Sequence, residues 1–333
     1  MRVDVIATTL SGSIADWKKV ERIVPGFAER GLDDVRLHEV DSHQAAYEKT
    51  VEVLREGGRL PISAGGSGTF RRVMEGCCDS GVPLDELRLG FLRKGSADLI
   101  GKILGMPDEI ETALDAFAEA IRENRVETCD ILRAENMGGE PRSVRIVGYG
   151  GAGLFGRIPH YTENRFMKWY KGILSQFFGD LGPFTTGMLL SLLERLAQGP
   201  LGSHGTWRIT VDGVPKTEGR YQALILVNGY LGPQLPYSKD RLGSGRFQLF
   251  GLRDQGLGRL VNQARAARSG AILEDPDRWG LEKFTAVDSL ELRPEKRLPF
   301  PVNVDGSTLR CDRAVRFSRI GQIRLLAGKI LRP

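Results

Sequence analysis

The chain has 333 residues, 41% of them hydrophobic and 27% charged, with a formal charge of +5. This length predicts two domains rather than one, and the composition excludes a mainly disordered protein. The four cysteines make neither a CxxC pair nor a zinc spacing, no run of about 18 apolar residues occurs, and the first residues turn polar too soon for a signal peptide. The expected location is therefore cytoplasmic, peripheral to a membrane at most.

Residues 3 to 7 read as an apolar strand that stops at the small-residue turn Thr8-Thr9-Leu10-Ser11-Gly12-Ser13 and opens onto a helix near 14 to 30. A strand fits 34 to 39, a helix 42 to 56, and a third strand 60 to 64 that runs straight into Gly65-Gly66-Ser67-Gly68-Thr69, with a helix from Phe70 to Cys78. Another strand at 87 to 92, a turn and helix over 95 to 104, and an amphipathic helix over 108 to 123 follow; Ile110, Leu114, Phe117 and Ile121 share one face of the last. Strands alternating with helices predict an α/β domain over residues 1–125 with a doubly wound, largely parallel sheet.

After residue 125 the texture changes. Strands are expected at 126 to 134, 142 to 148, 206 to 212, 221 to 228, 246 to 252, 282 to 293 and 300 to 304, separated by Gly, Pro and Asn. This predicts a β-rich sandwich domain over 126–312, interrupted by an apolar helical insertion over 161 to 198 that either packs a core or lines an acyl-chain pocket. Residues 313–333 are expected to return to the first domain. They belong to a basic stretch that includes Arg310, Arg313, Arg316, Arg319, Arg324, Lys329 and Arg332, which is either a solvated face or one attracted to anionic lipid headgroups. Nucleic acid is not expected, because no basic motif interleaved with aromatic residues is present. His38, His43, His160 and His204 have no metal-ligand spacing and read as surface or packing residues.

The Gly65–Thr69 turn has the chemistry of a phosphate loop. Backbone amides without a neighbouring Cβ approach phosphate oxygens closely, and a helix N-terminus adds unpaired N–H groups and a favourable dipole. No GK[ST] follows, so it is not a Walker loop. A second small-residue turn, Gly95-Ser96-Ala97-Asp98, ends the strand at 87 to 92, and ligands of open α/β sheets bind at that strand edge.

With these motifs the chain resembles the diacylglycerol kinase and sphingosine kinase-like lipid kinases, and more distantly NAD kinase. GGSGT followed by a helix and Gly76 is similar to the family's GGDGT and "NG"; GSADLIGKILGMP, from Gly95 to Pro107, is similar to its LGTGNDFARxLGIP; Asn228 and Asp305-Gly306 are similar to a later strand asparagine and "DG". The resemblance implies an NAD-kinase/phosphofructokinase-like α/β domain and a second, β-rich domain, with ATP and Mg²⁺ used to phosphorylate a lipid or other hydrophobic alcohol in the cleft between them. It implies that Gly65, Gly66, Gly68, Thr69, Gly95 and Ser96 contact the nucleotide and that Asp305 is a candidate general base; Thr9, Ser67, Arg72 and Asp98 are further candidates for nucleotide binding around the two loops. It leaves room for a homodimer and for an anionic membrane surface as partner.

The sequence departs from the family at its acids. Ser67 stands for the Asp of GGDGT, Arg72 for the acid three residues after its Thr, Asp98-Leu99 for Asn-Asp, Ser307 for the Glu after the late Asp-Gly, and Ser244-Gly245 for a further Asp-Gly. Carboxylates hold Mg²⁺ and accept protons, and serine does neither well. The alternative function is therefore a nucleotide- or phospholipid-binding protein of the same fold with an impaired kinase reaction. A polar acceptor such as NAD is a third reading.

Overall fold

The computed structural model describes residues 2–8, 20–93, 99–107, 109–163, 205–233, 235–296 and 298–330. The first half holds β1 (Val3–Thr8), α1 (Ile23–Ala28), β2 (Val35–Val40), α2 (His43–Arg55), β3 (Pro61–Gly65), α3 (Ser67–Asp79), β4 (Arg88–Arg93), α4 (Leu99–Ile103) and α5 (Ile110–Arg122). Then come β5 (Val126–Met137), β6 (Ser143–Ile146), β7 (Tyr149–Gly153), α6 (Leu154–Glu163), β8 (Thr206–Val211), β9 (Val214–Val227), β10 (Phe247–Arg253) and α7 (Leu257–Ser269). The chain continues through α8 (Ala271–Glu274), α9 (Pro276–Trp279), β11 (Leu281–Ala286), β12 (Ser289–Pro294), β13 (Phe300–Val304), β14 (Ser307–Cys311) and β15 (Ala314–Leu326).

Two compact units result: Met1–Ile131 with Gly321–Pro333, and Leu132–Ile320. The expected fold class holds in both. In the first unit β4, β3, β1 and β2 pair in parallel in that order, and the end of β15 joins β4 through the pairs Arg324↔Arg88 and Leu325↔Leu89. Parallel strands covered by helices are buried on both faces, which is why β1 and β3 are buried along their whole length. Their apolar runs therefore mark strands without alternation. Phe27 and Phe117 meet edge to face at 6.4 Å between α1 and α5.

The second unit is antiparallel and packs a core that includes Trp207, Tyr221, Phe247 and Phe317. Several elements here differ from expectation. The strand read over 282 to 293 is two, β11 and β12, split by a turn at Val287 and Asp288. Strand β7 was not expected from Tyr149-Gly150-Gly151-Ala152-Gly153, because glycine is a weak strand former. Its glycines are needed for close approach: a Cβ on Gly151 would lie 2.0 Å from the Leu224 carbonyl oxygen, at a φ of +149°. Helix α7 was also missed. The insertion expected over 161 to 198 lies almost wholly outside the described residues.

Candidate functional site

Helix α3 begins earlier than the sequence suggests, at Ser67 rather than Phe70. Gly66 is its N-cap, with φ −84° and ψ −178°, and the Phe70 N–H closes the first helical bond onto the Gly66 carbonyl at 3.0 Å. The N–H groups of Ser67, Gly68 and Thr69 therefore precede the helical ladder and have no intrahelical acceptor. No acidic residue lies in the first turn and no side chain caps it. This end of the helix dipole is left positive, which suits an anion.

The members of the loop divide the work. Thr69 is buried, and its Oγ1 lies 2.7 Å from Thr8 Oγ1 at the end of β1. That bond ties the loop to the neighbouring strand. Gly65 is closed in by the same pair: an added Cβ would sit 2.5 Å from Thr69 Oγ1 and 2.9 Å from Thr8 Oγ1. Phe70 stacks on Phe91 of β4 at 4.4 Å and fixes the helix against the sheet. Gly66 is half-buried and Ser67 is exposed, so the surface a ligand meets is the Gly66-Ser67 backbone.

Gly68 has a second role. A Cβ there would lie 2.9 Å from the His43 ring, and one on Gly76 would lie 2.7 Å from Thr50 Cβ. The two glycines share one face of α3 and let it approach α2. Arg72 lies on that face too, bonded to Glu75 at 2.5 Å and to Gln44, with its guanidinium 4.9 Å from the centre of the Tyr47 ring. Its charge is engaged in the helix seam. His43 is held below its ordinary pKa by burial and then by the positive charges of Arg71 and Arg72. The sequence did not mark Thr8 or His43 for this site: Thr8 reads as the first residue of the turn after the strand, whereas β1 includes it, and His43 reads as a surface or packing residue.

In the second unit, Asp305 occupies a left-handed turn between β13 and β14, with φ +47°. Its carboxylate accepts N–H bonds from Val147 at 2.9 Å, Gly148 at 3.1 Å and Tyr149 at 2.7 Å. Asn228, fully buried, donates to the Val147 carbonyl at 2.9 Å, and its own N–H reaches the Gly148 carbonyl at 2.8 Å. The two residues singled out by sequence thus hold one short backbone segment from both sides. The same device recurs at Asp212-Gly213: Asp212, at φ +48°, accepts from Val287, Asp288 and Ser289. An Asp-Gly turn whose carboxylate accepts from three backbone amides is a structural clamp.

Thr9, Gly95, Ser96 and Asp98 lie outside the described residues. Among the described residues no group of three or more His, Cys, Asp or Glu side chains could hold a metal ion. The free N–H groups at the α3 N-terminus have the chemistry that an anion such as a phosphate group needs.

Residues 2–134 match the family described as the diacylglycerol kinase catalytic domain. A candidate diacylglycerol kinase of Bacillus anthracis strain Sterne shares the fold at a TM-score of 0.70 and 18% identity, over 99% of this chain and 96% of that one. A further structure described as a diacylglycerol kinase from the same organism aligns at a TM-score of 0.63 and 16% identity, over 99% and 98% of the two chains. No curated protein matches the chain.

Proposed function

We propose that the chain is a divergent lipid kinase that uses ATP to phosphorylate a lipid or other hydrophobic alcohol. The observation that carries this reading is the bare N-terminus of α3, with Gly65 and the Thr8–Thr69 bond setting three free N–H groups at the end of a parallel sheet. The match of residues 2–134 to the diacylglycerol kinase catalytic domain supports a lipid kinase-like activity. In the reaction the acceptor oxygen bonds to the γ-phosphorus, the bond from that phosphorus to the β,γ-bridging oxygen breaks, ADP leaves and the hydroxyl proton passes to water. The protein's part is to orient the phosphates and stabilise their charge, as phosphoryl transfer requires.

A second reading, nucleotide or phospholipid binding without transfer, is favoured by two observations. Ser67 is exposed where the family places an acid, and the Asp305 carboxylate is already engaged by three amides. The test follows labelled γ-phosphate from ATP into a mixed lipid extract, beside a direct ATP-binding measurement. Label in the lipid fraction, increased by Ser67→Asp, supports the kinase. ATP binding with no transfer in either protein overturns it and leaves the binding reading.

A further inference from the structure

In the second unit, β6, β5, β15, β12, β8 and the start of β9 form one antiparallel sheet whose inner face is the core. Strand alternation puts Leu290 and Leu292 inward and Ser289, Glu291 and Arg293 outward; the register carries that outer face across β15, β12, β8 and β9, and in β5 and β6 Leu132, Ala134 and Ile146 face the core, which turns Arg133 and Arg145 outward. The outer face spans about 24 Å at the usual strand spacing. It carries six arginines, Arg133, Arg145, Arg208, Arg220, Arg293 and Arg316, against Glu135, Glu218 and Glu291.

Two features show that the cations are presented outward. Arg133 faces Arg145 across one strand pair and Arg293 faces Arg208 across another, an arrangement that is destabilising in isolation. The arginines also lie above the acids. Glu291 is only 16% exposed and receives Arg293 at 2.8 Å and Arg316 at 3.0 Å, whereas those guanidinium side chains are 55% and 43% exposed. Burial alone would raise the Glu291 pKa, but the two arginines more than offset it and keep the carboxylate ionised.

An independent feature lies at one end of this sheet. Val214, Val287 and Ile320 are three of the four large hydrophobic residues that stand strongly exposed among the described residues. They converge because the Asp212 carboxylate binds the amides of Val287–Ser289, and Arg319 bonds the Asp288 and Val287 carbonyls. Lys216 and Arg319 balance the aspartates of this end, so it is apolar and near neutral while the adjoining face is positive.

We propose that this face docks on an anionic lipid bilayer, the arginines against headgroups and the Val214–Val287–Ile320 end in the interface. Electrostatic attraction combined with a small apolar insertion is what reversible membrane binding needs. A single-stranded nucleic acid would instead require aromatic side chains for stacking, and none of the described residues on this face is aromatic. Charge and exposure alone assign this face to the bilayer, whether or not the chain transfers phosphate.

The test is sedimentation of the full chain with vesicles of phosphatidylcholine, and of phosphatidylcholine mixed with an equal share of phosphatidylglycerol, neither containing ATP or an added acceptor. Binding to the mixed vesicles only, weakening with salt, is expected. The triple change Arg208→Gln, Arg220→Gln and Arg293→Gln should weaken it about 100-fold, near five-fold per charge. The corresponding triple change to Lys should retain it, which separates lost charge from lost fold. Val214→Ser with Val287→Ser should remove the part that survives high salt. Equal binding to both vesicle types, an unaffected triple Gln variant, or full displacement by a single-stranded oligonucleotide would overturn the proposal. Vesicle binding without any kinase activity would leave it intact and count against the kinase alone.

Discussion

Thr69 and Thr8 offer the sharpest measurement at the level of single residues. Their hydroxyls bond only 2.7 Å apart in a buried site, so Thr69→Val should remove this bond from Thr8 and cost about 0.5–1.5 kcal/mol in urea unfolding. Removing both hydroxyls should cost less than the two single changes added together, and additive losses would refute the coupling. Asp305 poses the other residue-scale question. As a clamp on three amides it should behave like Asp212, so Asp305→Asn and Asp212→Asn should each destabilise by about 1–3 kcal/mol. A purely catalytic Asp305 would lose activity with no change in stability. The sequence made Asp305 conspicuous as an Asp-Gly pair, but its partners are more than 150 positions away. Spacing along the chain carries no trace of such a contact.

Among the elements, α3 shows how far a motif can be read. The glycine turn, the strand before it and the helix after it were all legible, because small residues between two apolar runs have few other uses. The position of the helix start was not, and it decides which N–H groups are free. The packing of α3 on α2 was equally hidden, since Gly68 and Gly76 gain their meaning from His43 and Thr50 on another helix. His43 gives this seam a pH signature. Its folded pKa lies below the unfolded value of about 6.5, so its contribution to stability is complete above that pH and is lost as pH falls through the lower folded value. The fall in urea midpoint between neutral and mildly acid pH should therefore shrink in His43→Gln. An anion at the α3 N-terminus would favour protonated His43, and linkage makes the effect reciprocal. Sulfate, whose charge is constant over this range, should bind more tightly as pH falls in the parent chain and not in His43→Gln. An identical pH dependence in both would remove His43 from the site.

At the scale of the whole chain, the alternation of strands and helices before residue 125 and the Gly- and Pro-punctuated strands after it made the two kinds of unit legible. The division between them falls inside two strands, after Ile131 in β5 and after Ile320 in β15. No turn or linker marks either place, so composition could not locate them. The last strand consequently serves the first unit with its second half. Leu325 and Leu326 are fully buried, Leu325 pairs with Leu89, and the Gly328 N–H reaches the Leu104 carbonyl at 2.8 Å. Leu325→Ala should thus act on the first unit, where a cavity of that kind costs about 2–5 kcal/mol. Calorimetry of the full chain is expected to show a lowered transition for the unit bearing the Gly65–Thr69 loop, together with weaker sulfate binding, while the transition of the antiparallel unit holds its temperature. Leu309, at 4% exposure in the core of the second unit, supplies the converse: Leu309→Ala should lower the other transition and leave sulfate binding unchanged. If both substitutions shift both transitions equally, the strands that cross the division transmit stability, and the units fold as one cooperative body.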